Sequence, residues 1–373
     1  MAIGFQEPKQ TPEQIESALL STLDKYFWDA KHERWREMVG KDDQVFLWGY
    51  SVLLSSFAIG AKLDPATYKP RMEKAFDGLA KYWTTKAPGA YAVSPGQNPK
   101  NPDRYYDDNA WVGLAAMEAY DATKETKYIE IAKKVMTYLR SGEDDKLGGG
   151  IYWHENKKES KNACVSGPAA MLALKLFLVT KDKAYRADGD RWLTWTEKLA
   201  DKDLLIMDNM NLSGKIDRAK WSYNSACYIE AACLQGFIAN KEQPVKDVPP
   251  GILRVIQMGD ASIDQWLKPD QYLVANPGMF AMHLFEALAA VSHAIDEINQ
   301  FGYPGKRGFS STNRYVASIF EKCRNDQGLL GEQWNRKPKP QENLLLMYTA
   351  SLLRTSLVSR RKSSSGEGHQ AAK

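Results

Sequence analysis

The sequence predicts an all-α fold, an (α/α)6 toroid of six helical hairpins with inner and outer helices. Three observations lead there. Twelve segments carry helical apolar spacing or helix-start signals, while the alternating pattern of strands is scarce. The stretch Ala119-Tyr120-Asp121-Ala122-Thr123-Lys124 with Tyr128 is echoed at an offset of 57 residues by Leu176-Phe177-Leu178-Val179-Thr180-Lys181 with Tyr185, as a repeated helix pair would require. Six such units need about 342 residues, close to the 373 present.

The first helix begins near Thr11, where Thr11-Pro12-Glu13-Gln14 supplies a cap, a proline at the first position and an acidic first turn; its pattern carries to about Val39. Helices follow from Phe46 to Lys62 and from Pro65 to about Trp83. A loop rich in Gly, Pro and Asn, Lys86 to Arg104, then delivers the chain to a helix beginning at Asp107, and loops of that length are often functional. The segment from Asp107 to Tyr120 pairs with Thr126 to Arg140, and Lys161 to Val179 pairs with Lys183 to Leu199. Further helices are expected at Ser222 to Ala239, Gly251 to Leu267, Met279 to Asn299, Ser311 to Arg324 and Glu342 to Ser359. Residues 1–359 form one expected domain. The Ser-, Gly- and Gln-rich tail, 360–373, has no means of burying itself and reads as disordered.

Composition narrows the function. With 43% hydrophobic residues, 11 Trp and 18 Tyr, the chain reads as a soluble, aromatic-rich protein. Fifty basic and 46 acidic residues leave a net charge of +4, and only Arg360-Arg361-Lys362 concentrates it; read as a solvated tail, that run gives no footprint for nucleic acid. The four cysteines lack metal-type spacing and a disulfide framework, the five histidines are spread out, and no HExxH occurs. Neither a metal nor a cofactor is expected, and His283 and His293 are assigned structural roles. The longest uncharged run, Val45 to Ala61, is 17 residues, short for a membrane span and suited to a buried helix. No membrane span is expected, and a monomer is. Met1 to Pro12 lacks the layout of a signal peptide.

The chemistry concentrates at Tyr105-Tyr106-Asp107-Asp108-Asn109-Ala110-Trp111, two adjacent carboxylates where a loop becomes an apolar helix. One reading gives them to the helix: an aspartate in the first turn caps free N–H groups and suits the positive end of the dipole. The other gives them a divided task. Consecutive residues diverge by about 100° around the axis yet place their oxygens on one rim, near the roughly 5 to 5.5 Å separation of retaining glycosidases. Repulsion pushes their titrations apart, so one acid stays ionised for attack while the other keeps a proton for the departing oxygen.

A second stretch sets Gly148-Gly149-Gly150 before Ile151-Tyr152-Trp153; glycine permits positive φ and close approach to a ligand, and the rings follow. It is not a phosphate loop, since no Lys-Ser or Lys-Thr follows and no strand precedes it. Lys161-Asn162-Ala163 and Trp221-Ser222-Tyr223-Asn224 stand at two more helix starts, where their polar groups suit sugar hydroxyls as well as capping or core roles. These clusters precede alternate helices. In a ring of hairpins such helices point the same way, so all the clusters would line one mouth.

Taken together, Tyr106-Asp107-Asp108-Asn109-Ala110-Trp111 with Gly113-Leu114-Ala115, the glycine-aromatic stretch, Lys161-Asn162-Ala163 and Trp221-Ser222-Tyr223-Asn224 resemble glycoside hydrolase family 76 in wording, order and spacing. The resemblance is clear from about Trp48 to Gln235. It implies an (α/α)6 toroid and retaining endo-α-1,6-mannanase activity on mannan through a covalent glycosyl-enzyme, with no metal. By position Asp107 would be the nucleophile and Asp108 the acid/base, with Tyr106, Asn109, Trp111, Tyr152, Trp153, Lys161, Asn162, Tyr223 and Asn224 as substrate contacts. It also suggests a secreted or periplasmic protein. Val112, Ser222 and Ser225-Ala226 depart from the family's usual Trp, Thr and Gln-Gly, which touches subsite shape. The rival readings are a mannan transglycosylase, which would lengthen chains, a sugar epimerase, which would be expected to use histidine, and a non-catalytic carbohydrate-binding toroid.

Overall fold

Thr11 closes a capping box with Gln14 and Pro12 follows it, so α1 runs Pro12–Tyr26. The computed structural model describes residues 9–242, 250–298 and 311–367. The expected continuation of α1 to Val39 is instead a hairpin, β1 (Trp28–Asp29) against β2 (Arg34–Trp35). Asp29 explains the break: its carboxylate accepts the N–H groups of Lys31 and His32, which a helix would have bonded elsewhere. Trp28 and Trp35, which supplied the misleading apolar spacing, meet edge to face at 5.0 Å across the turn.

The remaining helices are α2 (Leu47–Leu63), α3 (Pro65–Leu79), α4 (Tyr106–Thr123), α5 (Thr126–Ser141), α6 (Ala163–Thr180), α7 (Lys183–Glu197), α8 (Ser222–Glu242), α9 (Pro250–Trp266), α10 (Gly278–Ile298), α11 (Thr312–Lys322) and α12 (Leu346–Glu367). The α-helices number twelve among the described residues, as expected. The last begins four residues later than Glu342 and continues to Glu367, into the segment read as a tail; residues 368–373 lie outside the described residues. Arg360 is not a solvated tail residue, because it pairs with Glu13 and Glu16 and ties α12 to α1.

The even-numbered helices form the inner ring. Each packs on the next, α2 on α4, α4 on α6, α6 on α8, α8 on α10 and α10 on α12, and α12 returns to α2. The sequences of α2 and α6 are apolar nearly all round, as double-sided burial demands, whereas α5 carries a single stripe of Tyr128, Ile129, Ala132, Val135, Met136 and Leu139. The windows Ala163–Thr180 and Gly278–Ile295 are long and apolar enough to cross a membrane, and 72% and 67% of them is buried within the ring. The echo at 57 residues is a repeated turn. Lys124 and Lys181 both cap their helices in the left-handed region, at φ 59° and 61°, and Thr123 and Thr180 each bond back four residues.

That repeat fixes where the loops go. Three inner helices, α2, α4 and α6, pass to outer ones through one or two residues: Asp64, Lys124 and Glu125, Lys181 and Asp182. Every short strand lies in a connection from an outer helix to the next inner one, including the sheet of β5 (Ser160–Asn162), β6 (Met207–Asn211) and β7 (Ile216–Lys220). The strand-bearing connections therefore gather at the end where the inner helices begin.

Deeper along the axis a charged cluster ties four inner helices together. Arg354 of α12 donates to Ser55 of α2 at 2.7 Å and pairs with Glu286 of α10 at 2.7 Å and Glu118 of α4 at 3.3 Å. Burial pushes Glu286 up, but the charge of Arg354 prevails and holds its carboxyl down at about 2. Replacing one partner of such a buried set strands the others. Arg354→Met is expected to destabilise the fold by about 3–5 kcal/mol in denaturant unfolding; a loss below about 1 kcal/mol would mean the cluster is not a closure of the ring.

Candidate active site

The loop Lys86 to Arg104 reaches the mouth under tight restraint. Arg104, wholly buried, binds Glu155 through Nε and Nη2 and the carbonyls of Lys86 and Pro88 through Nη1. Asn109 then pins the loop to α4, accepting from Tyr91 N–H and donating to the carbonyls of Tyr91 and Tyr105. With these anchors the first turn of α4 presents Asp107 and Asp108, both half-buried, at the opening of the ring.

The connection into α6 crosses over that turn. Tyr106 N–H donates to Trp153 C=O at 3.0 Å, and the Trp153 ring leans on Tyr105 with centroids 5.0 Å apart. So placed, the Trp153 indole N–H donates to Asp107 Oδ2 at 2.8 Å, leaving the ring 44% exposed at the rim. The Cys164 thiol, at the start of α6, lies 3.8 Å from the same oxygen. Asp107 Oδ1 is buried with no hydrogen-bond partner.

The two acids differ in their surroundings. Burial raises Asp107 to about 6, moderated by the Trp153 N–H, backbone N–H groups of the first turn and the thiol. Asp108 is raised well above the ordinary carboxyl range by burial, then by the negative charges of Asp107 and Asp103. Asp108 is thus the natural holder of a proton and Asp107 the natural carboxylate.

One wall of the mouth is aromatic. Trp48 of α2 stacks on Phe280 of α10 at 5.7 Å, Phe280 meets Trp221 at 5.3 Å and Tyr223 at 5.6 Å, and Tyr223 meets Trp111 at 5.8 Å. Tyr223 Oη donates to Cys164 C=O at 2.9 Å, joining α8 to α6 beside Asp107. The starts of α4, α6 and α8 do converge on one mouth, as the spacing predicted, with α2 and α10 added.

Several expected sugar contacts are turned inward instead. Tyr106 is buried and stacked on Tyr138 at 4.5 Å. Lys161 is fully buried and spends its ammonium on the carbonyls of Asp144, Lys146 and Gly149 and on the Asp144 carboxylate. Tyr152 is buried with its hydroxyl on Asp144, and Asn109 has its amide committed as described. Asn162 is buried, its Oδ1 taken by the Ser160 hydroxyl. The glycines adopt φ of 67°, 109° and 79°, as positive-φ residues should, but their close approach is to the protein: a Cβ on Gly150 would lie 2.4 Å from the Trp195 ring. Asn224 is buried and donates to Asp208 Oδ1 at 3.1 Å, with its own Oδ1 unpartnered. Ser222 and Ser225 bond Asn276 and the Ile206 N–H, so these departures serve the protein rather than the opening.

Sequence reading missed Asp208 and Cys164. Asp208 is the half-buried member of β6 that Asn209 and Asn224 both address, and its charge acts on Cys164. The apolar run Leu204-Leu205-Ile206-Met207 ending in an acid was its one signal.

Residues 10–354 match the family described as glycosyl hydrolase family 76. No curated protein matches the chain. Among solved structures, a family 76 α-mannanase of Bacteroides thetaiotaomicron is similar with a TM-score of 0.83 and 23% identity, over 95% of this chain and 98% of that one. The family 76 α-1,6-mannanase of Salegentibacter sp. gives 0.75 and 19%, over 94% and 99%. An inactive variant of that protein, with two adjacent aspartates replaced by asparagine and α-1,6-mannotriose bound, gives 0.75 and 20%, over 94% and 99%.

Two outcomes test the electrostatics. Trp153→Phe removes the donor on Asp107 Oδ2, so a carboxyl NMR titration is expected to place Asp107 above its value of about 6; an unmoved titration would mean the indole does not hold the carboxylate. Because the folded-state values of both acids exceed the ordinary 3.8, the pair's contribution to stability is present below about pH 4 and is lost as pH rises through the raised values. Asp108→Asn is therefore expected to raise the Tm at pH 7 by a few degrees, with the gain fading near pH 4.

Proposed function

Because the chain belongs to glycosyl hydrolase family 76 and is therefore a glycoside hydrolase, we propose that it cleaves α-1,6-mannosidic linkages of mannan with retention, through a covalent mannosyl-enzyme on Asp107. The observation that carries the reading is the unequal acid pair: one carboxylate gripped by an indole N–H, its neighbour held in the acid form. The bound α-1,6-mannotriose of the Salegentibacter variant, and the loss of activity when two adjacent aspartates were changed there, support both the substrate and the residues.

In the first step Asp107 attacks the anomeric carbon of the mannosyl unit while Asp108 delivers its proton to the departing O6, so the shortened chain leaves neutral. The C1–O6 bond breaks as the C1–Oδ bond forms. In the second step Asp108, now a carboxylate, takes a proton from water, and that water displaces Asp107 from C1. Two inversions return the α configuration. The exposed rings of Trp153 and Trp221 offer apolar faces on which sugar rings stack, and the wall from Trp48 to Trp111 gives the cleft length for a chain. Of the residues expected to touch substrate, Trp153 is the one exposed at the opening, and Trp111 and Tyr223 are buried behind it as the backing of the wall. Tyr106, Asn109, Tyr152 and Lys161 position the loops that carry them.

Asp107→Asn and Asp108→Asn are each expected to lower hydrolysis of linear α-1,6-mannan by 10³-fold or more, on the order of the loss of a catalytic acid or nucleophile. The product should appear first as the α anomer by proton NMR. Activity should fall on the acid side as Asp107 is protonated near pH 6 and on the alkaline side as Asp108 loses its proton. Wild-type protein that binds mannan without turnover, or that yields longer chains in place of shorter ones, would replace this reading with carbohydrate binding or with transglycosylation.

A further inference from the structure

We propose that His283 is a positioning residue for the sugar-binding wall, its imidazole acting as the flat support against which the Trp111 ring is set. The inference rests on the mannan reading above, since it assigns a role within the same cleft. His283 lies in α10 one turn below Phe280, and its ring is stacked face to face on Trp111 with centroids 4.0 Å apart and planes inclined by 24°. That is the closest ring pair in the wall. Among the described residues the Trp111 indole N–H has one hydrogen bond, to Tyr223 Oη, and at 3.5 Å it is long and does not fix the indole plane.

The other side of His283 explains why the support is an imidazole. Its two nitrogens are buried with no protein partner. His283 and Trp111 line a small cavity together with Ser51, Ser55, Glu118, Arg354 and several apolar side chains, and Arg354 Nη1 is also without a hydrogen-bond partner. A residue chosen only to fill the core would present carbon there, because polar atoms buried without protein partners are costly unless water meets them. An imidazole does two things at once: it gives Trp111 a planar face and sets polar atoms beside a cavity that Ser51, Ser55, Glu118 and Arg354 share with apolar side chains. Burial, reinforced by the nearby Arg354, keeps the ring neutral, so it adds no charge beneath the acid pair. From Trp111 the arrangement passes to Tyr223 and from Tyr223 Oη to Cys164 C=O, beside Asp107.

Planarity is therefore the property to vary. His283→Leu keeps bulk but loses the plane, and His283→Phe keeps the plane but loses the nitrogens. With α-1,6-mannotetraose as substrate, H283L is expected to raise KM on the order of tenfold with kcat changed less than about threefold, and H283F to restore most of the lost KM. An unchanged KM in folded H283L, or an H283F no better than H283L, would overturn the proposal, because a merely structural histidine would lower stability without that KM-selective pattern. If H283L fails to fold, His283→Gln makes the same comparison with a polar, ringless side chain. Wild-type protein inert towards the oligosaccharide would overturn the mannan reading and this inference together; active wild type with an unmoved H283L would overturn this inference alone.

Discussion

Two carboxyls on consecutive residues, half-buried on one helical turn, repel each other, and the structure around the mouth is a way of holding that repulsion in a useful form. Desolvation raises both. Asymmetry comes from donors, since the Trp153 indole and the first-turn N–H groups address Asp107, whereas every neighbour that acts on Asp108 raises it further. The donors have to arrive from outside α4. Trp153 is brought over by the crossing strand segment and Cys164 by the start of α6, so the ring's convergence of helix starts is what makes the pair unequal.

Convergence brings a second problem, because the strand-bearing connections meet at this end and irregular backbone carries unmet hydrogen-bonding groups. The solution is the same in the two loops that flank the acid pair: buried polar side chains collect several carbonyls. Arg104 does this for the loop before α4, Lys161 for the loop between α5 and α6, and Asn109 for the strand at Tyr91. Residues that look like ligand contacts by type are therefore spent on rigidity. That rigidity has a functional meaning, since catalytic geometry is lost when a supporting group lets an acid drift by an ångström.

This division accounts for what the sequence made legible. Helices were readable because inner ones such as α2 and α6 are apolar nearly all round and outer ones such as α5 carry one stripe, and the echo of Thr123-Lys124 in Thr180-Lys181 marked the repeat length through a left-handed cap that lysine can occupy. The mouth was readable from the positions of Asp107, Trp111 and Tyr223 at helix starts. Direction was not. Lys161 and Trp153 sit in similar company in sequence, yet one is fully buried and the other exposed, because side-chain orientation in a loop depends on which carbonyls are nearby in space. The hairpin at Trp28 and Trp35 was missed for a related reason: aromatic spacing fits a helix face and a turn alike until Asp29 is seen taking the turn's N–H groups.

The barrel axis and its mouth apply opposite rules to buried acids. Along the axis Glu286 has Arg354 within 2.7 Å, and the cation outweighs burial and keeps the carboxyl ionised, which suits a permanent tie between helices. At the mouth no cation acts on Asp108, and burial and like charge keep it in the acid form. An arginine placed near the pair would fix both acids as carboxylates and remove the proton that the leaving group needs. Keeping cations away from the aspartates is therefore as much a part of the site as the aspartates themselves. Two buried basic side chains of the flanking loops obey it, for Arg104 is turned to Glu155 and Lys161 to Asp144. The clamps that rigidify the loops also withdraw their positive charge from the cleft, so one arrangement of side chains serves both the stability of the mouth and the proton inventory of the reaction.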